Sequence, residues 1–372
     1  MPEQPSALHQ LRARRQRMTE DLAGLVGVES FSTDATATAA SAEAVTALGT
    51  RLLGAAPDHT GNHLTWRHGA TDVLLLGHHD TVWPIGTLAR WPFGVGGDTA
   101  TGPGCFDMKA GLVQLFHALS VLPALDGVTI VVNADEEIGS PTSQALIEEA
   151  AQGARAALVC EPSLDGALKT ARKGIARYLL EVTGRAAHTG LDPTRGANAG
   201  VELAHQVLAV AGLGHADTTV TPTVLTAGTT ENTVPAAASL AIDVRTFDNG
   251  EFDRVDRAIR ALRPVLAGTG LTVRGRLHRP ALPASASTRL YHLALDVAAE
   301  LGLPRPTSAS VGGASDGNLT ASLGVPTLDG LGAVGGNAHA EGEWVDLTAM
   351  GDRAALLTAL VRRILDPADR RR

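Results

Sequence analysis

Acidic and histidine side chains gather where apolar runs of this chain stop, and the chemistry open to such a gathering is metal binding coupled to acid–base work. In GHHDTV the apolar run TDVLLLG (Thr71 to Gly77) ends on His78, His79 and Asp80. On an extended backbone, residues two apart share a face, so His78 and Asp80 point together and His79 points away. A metal-bound imidazole normally donates its other ring N–H to a carboxylate, which makes His78 a ligand candidate with Asp80 behind it. Alone, the motif reads equally well as two histidines in a polar turn.

GPGCFDMKAG sets Asp107 in a glycine-rich turn that opens a helix. Glycines let backbones approach closely, and the two oxygens of a carboxylate can bridge cations about 3.5–4 Å apart, so Asp107 is the bridging candidate. The bland alternative is the N-cap of a helix beginning at Met108. NADEEIGS follows the apolar VTIVVNA (Val128 to Ala134) with Asp135, Glu136 and Glu137 in a row. Adjacent carboxylates raise one another's pKa, which is costly at a buried strand end unless cations neutralise them. One acid of this run can bind metal while its neighbour works as a base; on a surface loop the same run is only solvated charge. Glu161, in CEPS, follows the apolar AALVC, and His339 lies in the glycine-rich GGNAHAEGEWVD before the last helix. Two histidines with three carboxylates form a nitrogen and oxygen ligand mixture that suits zinc and tolerates cobalt or manganese.

These motifs need strands to carry them, since ligands of open α/β sheets bind at the carboxyl ends of strands. TDVLLLG, VTIVVNA and AALVC are short apolar runs suited to strands buried on both faces, separated by helical segments near Lys109 to Ser120 and Ser143 to Ala151. One helix is expected over Ser6 to Val28, and another after the loop that begins STDATA. At about Gly174 the pattern changes to strand IARYLLEVTG, helix ANAGVELAHQVLAVAG, strands TVLTAGTT and ASLAIDVRT, and helix FDRVDRAIRALRPVL, an inserted α+β unit. The βα alternation resumes after HRPALPAS and closes on the helix DLTAMGDRAALLTALVRRIL.

Bulk properties bound the answer. A chain of 372 residues exceeds one hydrophobic core, so two domains are expected. With 44% hydrophobic and 19% charged residues the chain is globular rather than disordered. The net charge of −8 argues against a nucleic-acid partner. Cys105 and Cys160 lack disulfide-framework or zinc-ribbon spacing and read as small buried packing residues. The opening MPEQPSALHQLRARRQRM holds no signal-peptide core and no run approaches a membrane span, so no membrane partner is expected and a cytoplasmic setting is.

Taken in order, GHHDTVWPIGTL, GPGCFDMKAG, NADEEIGS, CEPS, GRAAHTG, AGTTENTVPAAASLAIDVR, GGASDG and NAHAEGEWVD cover nearly the whole chain, and this ordered set resembles the M20 metallopeptidases, in particular their glutamate carboxypeptidase branch. The resemblance implies an α/β catalytic domain, a mixed, largely parallel sheet with helices on both faces, over residues 1–173 and 282–372. Within it, residues 174–281 would form a smaller ferredoxin-like α+β dimerisation domain. It implies two Zn2+ per subunit, with Co2+ or Mn2+ as alternatives: one on His78 and Glu161, the other on Glu137 and His339, bridged by Asp107. Glu136 becomes the general base and Asp80 the partner of His78. The resemblance also implies a homodimer in which His188 of GRAAHTG reaches the partner subunit's site and stabilises the oxyanion. Asn232 and Arg245 match substrate-holding positions, and Arg279 an arginine near the substrate carboxylates, where its planar fork suits bidentate binding. Gly312 and Gly313 offer backbone N–H groups to the same carboxylate.

The implied activity is hydrolysis of an amide bond beside a free carboxylate, releasing a glutamate-like C-terminal amino acid from a peptide or N-acyl amino acid. A Glu at position 161 resembles the carboxypeptidase and aminoacylase branches, whereas the aminopeptidases tend to carry Asp. After it the chain departs from the branch: SLDGALKTARKG is short, and Lys169, Arg172 and Lys173 compete for one aligned position. The rival readings are an N-acyl-amino-acid deacylase of the acetylornithine or succinyl-diaminopimelate type, and a metal-bound binding protein without catalysis, against which the intact Glu136 argues.

Overall fold

Alternate residues of the strand Val73–His78 face opposite sides of a sheet: Val73 and Leu75 enter one hydrophobic core, Leu74 and Leu76 another. A strand apolar at every position is therefore buried on both faces, the signature of a sheet layered between helices. In the computed structural model, which describes residues 6–366, this strand is third from one edge of the main sheet. The order is Asp58–Thr60, His63–His68, Val128–Asn133, Val73–His78, Ala156–Val159, Thr327–Leu328. The last four run parallel and the first two pair antiparallel, giving the expected mixed, largely parallel sheet.

Helices Arg15–Val26, Ala35–Leu53, Ala110–Leu119, Ala284–Leu301 and Met350–Leu365 bury apolar residues in one core, and Gln144–Ala151 with Gly317–Ser322 in the other. Truncating a fully buried leucine such as Leu75 to alanine would cost about 2–5 kcal/mol, so the strand ends that bear the acids are firmly anchored. Among the described residues, this first unit runs to Ala171 and resumes over Ala284–Ser310 and from Ser315 onward.

The second unit, Arg172–Pro283 with Val311–Ala314, is an antiparallel sheet ordered Thr219–Ala227, Ala237–Thr246, Gly174–Thr183, Gly270–Arg279. Its helices Ala199–Ala211 and Asn249–Arg260 share one core with alternate residues of the strands, a βαββαβ ferredoxin-like arrangement. Asn198 caps the first helix, accepting from the N–H of Gly200 and Val201.

Two features depart from expectation. The single helix expected over Ser6 to Val28 is two, Ala7–Ala13 and Arg15–Val26, broken at Arg14 (φ −89°, ψ 9°). The strands His63–His68 and Gly270–Arg279, absent from the expected elements, carry no continuous apolar run; each alternates polar with apolar residues, and Gly275 interrupts the apolar side of the second. Residues 1–5 of the opening segment, read above for a signal peptide, lie outside the described residues. Among the described residues no helix is long and apolar enough to cross a membrane.

Candidate metal centre

Parallel register brings the ligand candidates to one level. His78 pairs with Asn133 and Leu76 with Val159, so His78, the Asp135–Glu137 run and Glu161 all leave the sheet at its carboxyl edge. Helix Ala110–Leu119 closes the set by packing on the strand end before Glu161. At Gly111 a Cβ would sit 2.1 Å from the Cys160 carbonyl oxygen, an approach only glycine allows.

Asp107 is not the N-cap of the following helix. It lies in the irregular turn Cys105–Lys109 with φ −112° and ψ 97°, and helix Ala110–Leu119 has no side-chain cap. Freed from capping, the carboxylate divides its oxygens: Oδ1 is 3.4 Å from His78 Nε2 and Oδ2 is 3.4 Å from His339 Nε2. His78 Nε2 is also 3.3 Å from Glu161 Oε1, and His339 Nε2 3.1 Å from Glu137 Oε1. Ligand-capable atoms of His78, Asp107 and Glu137 lie within 4.8 Å of one another, as do those of His78, Glu136 and Glu161. Glu136 therefore borders the same space, close enough to ligate or to work as a base.

The supports are buried. His78 Nδ1 lies 3.0 Å from the Asp80 main-chain oxygen and 3.3 Å from its Oδ1. The Asp80 carboxylate accepts from Ser32 Oγ at 2.7 Å and from the N–H groups of Glu136 and Glu137 at 3.2 Å each, so it also fixes the acidic run. Asp135 turns inward, accepting from Thr142 Oγ1 (2.6 Å) and Ser143 Oγ (2.5 Å). His79 is fully buried and directed to the Asn62 carbonyl at 2.9 Å.

Electrostatics test whether this constellation suits cations. Burial opposes a charged His78, yet the facing carboxylates of Asp107, Asp80 and Glu161 outweigh it and hold the ring pKa well above the usual histidine value. Hydrogen bonds to Asp107 and Glu137 push His339 up to about 10. Burial pushes Glu137 up to about 7. Asp107, despite burial, is held far below the usual range by His339 and His78, and its Oδ1 is buried without a hydrogen-bond partner. The carboxylates thus favour positive charge at both histidines, and a cation bound there would supply that charge in place of protons. The residues fit a metal.

The remaining candidates belong to the second unit. His188 is exposed; its Nδ1 accepts from the Gly190 N–H at 3.1 Å, which leaves Nε2 to carry the proton. Asn232, also exposed, accepts through its main chain from the Thr189 N–H at 3.1 Å. Arg245 donates to Asp243 (2.9 Å) and to the Gly312 carbonyl (3.2 Å), and Arg172 to the Gly313 carbonyl at 3.2 Å, so that loop offers these arginines its carbonyls. Arg279 is 3% exposed. Of the three competing cations, Lys173 donates to the Asp217 carbonyl, whereas Lys169 belongs to the first unit and its charge helps keep Asp107 ionised. Sequence reasoning missed Glu343, which lies in the quoted NAHAEGEWVD motif but was marked there by nothing except its charge.

Strand-end histidines and carboxylates on a mixed α/β sheet define a metal-dependent hydrolase. The chain belongs to peptidase family M20/M25/M40, whose profile matches residues 74–363, and is a hydrolase of amide or peptide bonds. It is 33% identical over 306 residues to carboxypeptidase G2 of Pseudomonas sp. (strain RS-16), covering 79% of this chain and 74% of that protein. It is 32% identical over 147 residues to acetylornithine deacetylase of Salmonella arizonae, 38% of each chain. Its fold is similar to that of the aminopeptidase PepT of Bacillus cereus, with a TM-score of 0.73, 20% identity and coverage of 95% of this chain and 99% of that one. It is also similar to the M20 family metallo-carboxypeptidase Sso-CP2 of Sulfolobus solfataricus, with a TM-score of 0.72, 16% identity and coverage of 93% and 99%.

Proposed function

We propose that the chain is a dinuclear zinc hydrolase that cleaves an amide bond beside a free carboxylate, releasing a glutamate-like C-terminal amino acid from a peptide or an N-acyl amino acid. The observation that carries this reading is the division of Asp107 between two histidines, each 3.4 Å from a different oxygen and each with its own second carboxylate. Identity of 33% with carboxypeptidase G2 over 79% of the chain supports the carboxypeptidase part of this reading. His78 with Glu161, and His339 with Glu137, would hold one Zn2+ each, and Co2+ or Mn2+ suits the same donors. Bound there, the cations would acidify water and polarise the scissile carbonyl.

The protein's own groups do the rest. Glu136 takes the proton of the attacking water and delivers it to the leaving nitrogen. Asp80 holds the His78 ring and the main chain of Glu136, so ligand and base keep a fixed separation. His188 of the partner subunit in a homodimer donates from Nε2 to the developing oxyanion. Arg245, Arg279 and Asn232, with the Gly312–Gly313 backbone, orient the substrate carboxylate. The two free, buried cysteines fit a reducing, cytoplasmic setting.

The test is release of free amino acid from N-acyl-glutamate and from N-acetylornithine, each with and without chelator. Glutamate release abolished by chelator is the expected result. Preference for the acetylated basic amino acid would instead support the deacylase reading, which the 147-residue match to acetylornithine deacetylase favours.

A further inference from the structure

Glu343 has no role in the chemistry above, yet it is fully buried and its carboxylate is saturated. Oε1 accepts from the N–H of Phe106 at 2.8 Å and of Asp107 at 2.9 Å; Oε2 accepts from the N–H of Gly104 and the indole Nε1 of Trp83, both at 2.9 Å. All four partners are N–H donors, so only a group that accepts on both oxygens, an ionised carboxylate, satisfies them. Hydrogen bonds to a charged acceptor are also the stronger kind. The Glu343 main-chain oxygen adds a contact from Cys105 Sγ at 3.5 Å.

The turn so gripped is irregular, closed on itself by main-chain bonds from the Lys109 N–H to the Gly104 carbonyl (3.1 Å) and from the Ala110 N–H to the Cys105 carbonyl. Asp107 and Met108 are both non-helical, at φ −112° and −130°, and the turn carries no side-chain cap. Its other end is pinned by buried Lys109, whose Nζ donates to the carbonyls of Leu25 (3.0 Å) and Val28 (2.7 Å). Asp107 Oδ1 has no hydrogen-bond partner and the carboxylate faces the candidate ligands His78 and His339 at 3.4 Å each, so the main chain of the turn sets where it meets them. Glu343 follows His339 within one short loop, so a single residue locks together two loops that bear ligand candidates and lie more than 200 residues apart in sequence (Asp107 and Glu343 are separated by 236).

We propose that Glu343 is the positioning residue of Asp107. By holding the N–H groups of residues 104, 106 and 107 it sets the angle at which the Asp107 carboxylate splits its oxygens between His78 and His339, and thereby how tightly cations are held. The proposal rests on the dinuclear reading. Glu343 touches neither substrate nor ligand side chains, so its influence falls on cation affinity and not on proton transfer.

Glu343→Gln preserves size but turns one oxygen into an NH2 that cannot accept from the N–H groups facing it. The experiment titrates the metal-stripped full chain with Co2+, reading stoichiometry by calorimetry and ligand geometry by visible absorption. E343Q is expected to bind one Co2+ about 10–100-fold more weakly than wild type, the usual consequence of losing a group that orients a ligand, with kcat recovered at saturating Co2+. Glu343→Asp, which keeps the acceptor, is expected to regain part of the affinity. A folded E343Q with wild-type affinity for every ion overturns the proposal. Should E343Q not fold, Trp83→Phe removes one donor and leaves the loop main chain intact; a loss of about 2–5-fold is expected, and unchanged affinity overturns the proposal. Uptake of a single ion by wild type sinks the dinuclear reading but leaves the comparison decisive at that ion; uptake of none sinks both.

Discussion

The strand-end loops of the first unit and the turns of the second carry their chemical groups in opposite ways. Asp80 is fully buried and binds the main chain of Glu136 and Glu137; Glu343, equally buried, binds the main chain of Asp107. His188 and Asn232 are exposed and held by one turn, through Gly190 and Thr189. Ligands that must meet a small cation within tenths of an ångström need a rigid second layer. Groups that meet a variable substrate tolerate a looser mounting. If that contrast is functional, substitutions in the first unit should act on cations and turnover, and those in the second on substrate affinity and on assembly.

The largest expected effect separates the cation from the base. Chelation should abolish hydrolysis, and Zn2+ or Co2+ should restore it. Glu136→Gln should cut turnover by about 10²–10⁴-fold, the scale of general acid–base catalysis, while metal content by elemental analysis stays at the wild-type value. Loss of metal along with turnover would make Glu136 a ligand, which its closeness to His78 and Glu161 permits.

Asp80→Asn comes next. The amide offers a donor where the N–H groups of Glu136 and Glu137 need acceptors, so metal affinity should fall about 10–100-fold, measured by competition with a chromogenic chelator. In contrast, Arg245→Ala in the second unit should leave metal affinity alone and raise KM for the carboxylate substrate roughly tenfold, about what one charge-assisted hydrogen bond contributes. A fall in kcat with unchanged KM would remove Arg245 from substrate binding.

This contrast also decides what could be read from sequence. Val73–His78, Val128–Asn133 and Ala156–Val159 are buried at every position and almost wholly apolar, so the histidine that ends the first and the acids just beyond the others stand out. His63–His68 and Gly270–Arg279 carry only the fainter signal of alternation, Leu64 and Trp66 against His63, Thr65 and Arg67 in a strand toward an edge, and Leu271, Val273 and Leu277 against Thr272, Arg274, Arg276 and His278 with Gly275 interrupting the apolar side. Glu343 was hidden for another reason: its importance lies in four N–H partners up to 260 residues away, and a lone acid in a glycine-rich loop has no pattern. Lys169, Arg172 and Lys173 look alike in sequence and separate only in space, where Arg172 and Lys173 bond carbonyls of their own unit.

The smallest expected signal tests the second unit most directly. If His188 serves the partner's site, His188→Ala and Glu136→Gln chains are each inactive as homodimers but complementary when mixed. Every hybrid holds one complete site, since the Glu136→Gln chain supplies an intact His188 to the neighbour that retains Glu136. Random reassortment makes about half the dimers hybrid, so activity should recover to at most about a quarter of wild type in a two-fold dimer. The recovery should grow with the time allowed for subunit exchange and vanish if the chains are cross-linked before mixing. No recovery despite proven exchange would confine His188 to its own chain, and the looser mounting of the second unit would then need an explanation other than reaching across a subunit boundary.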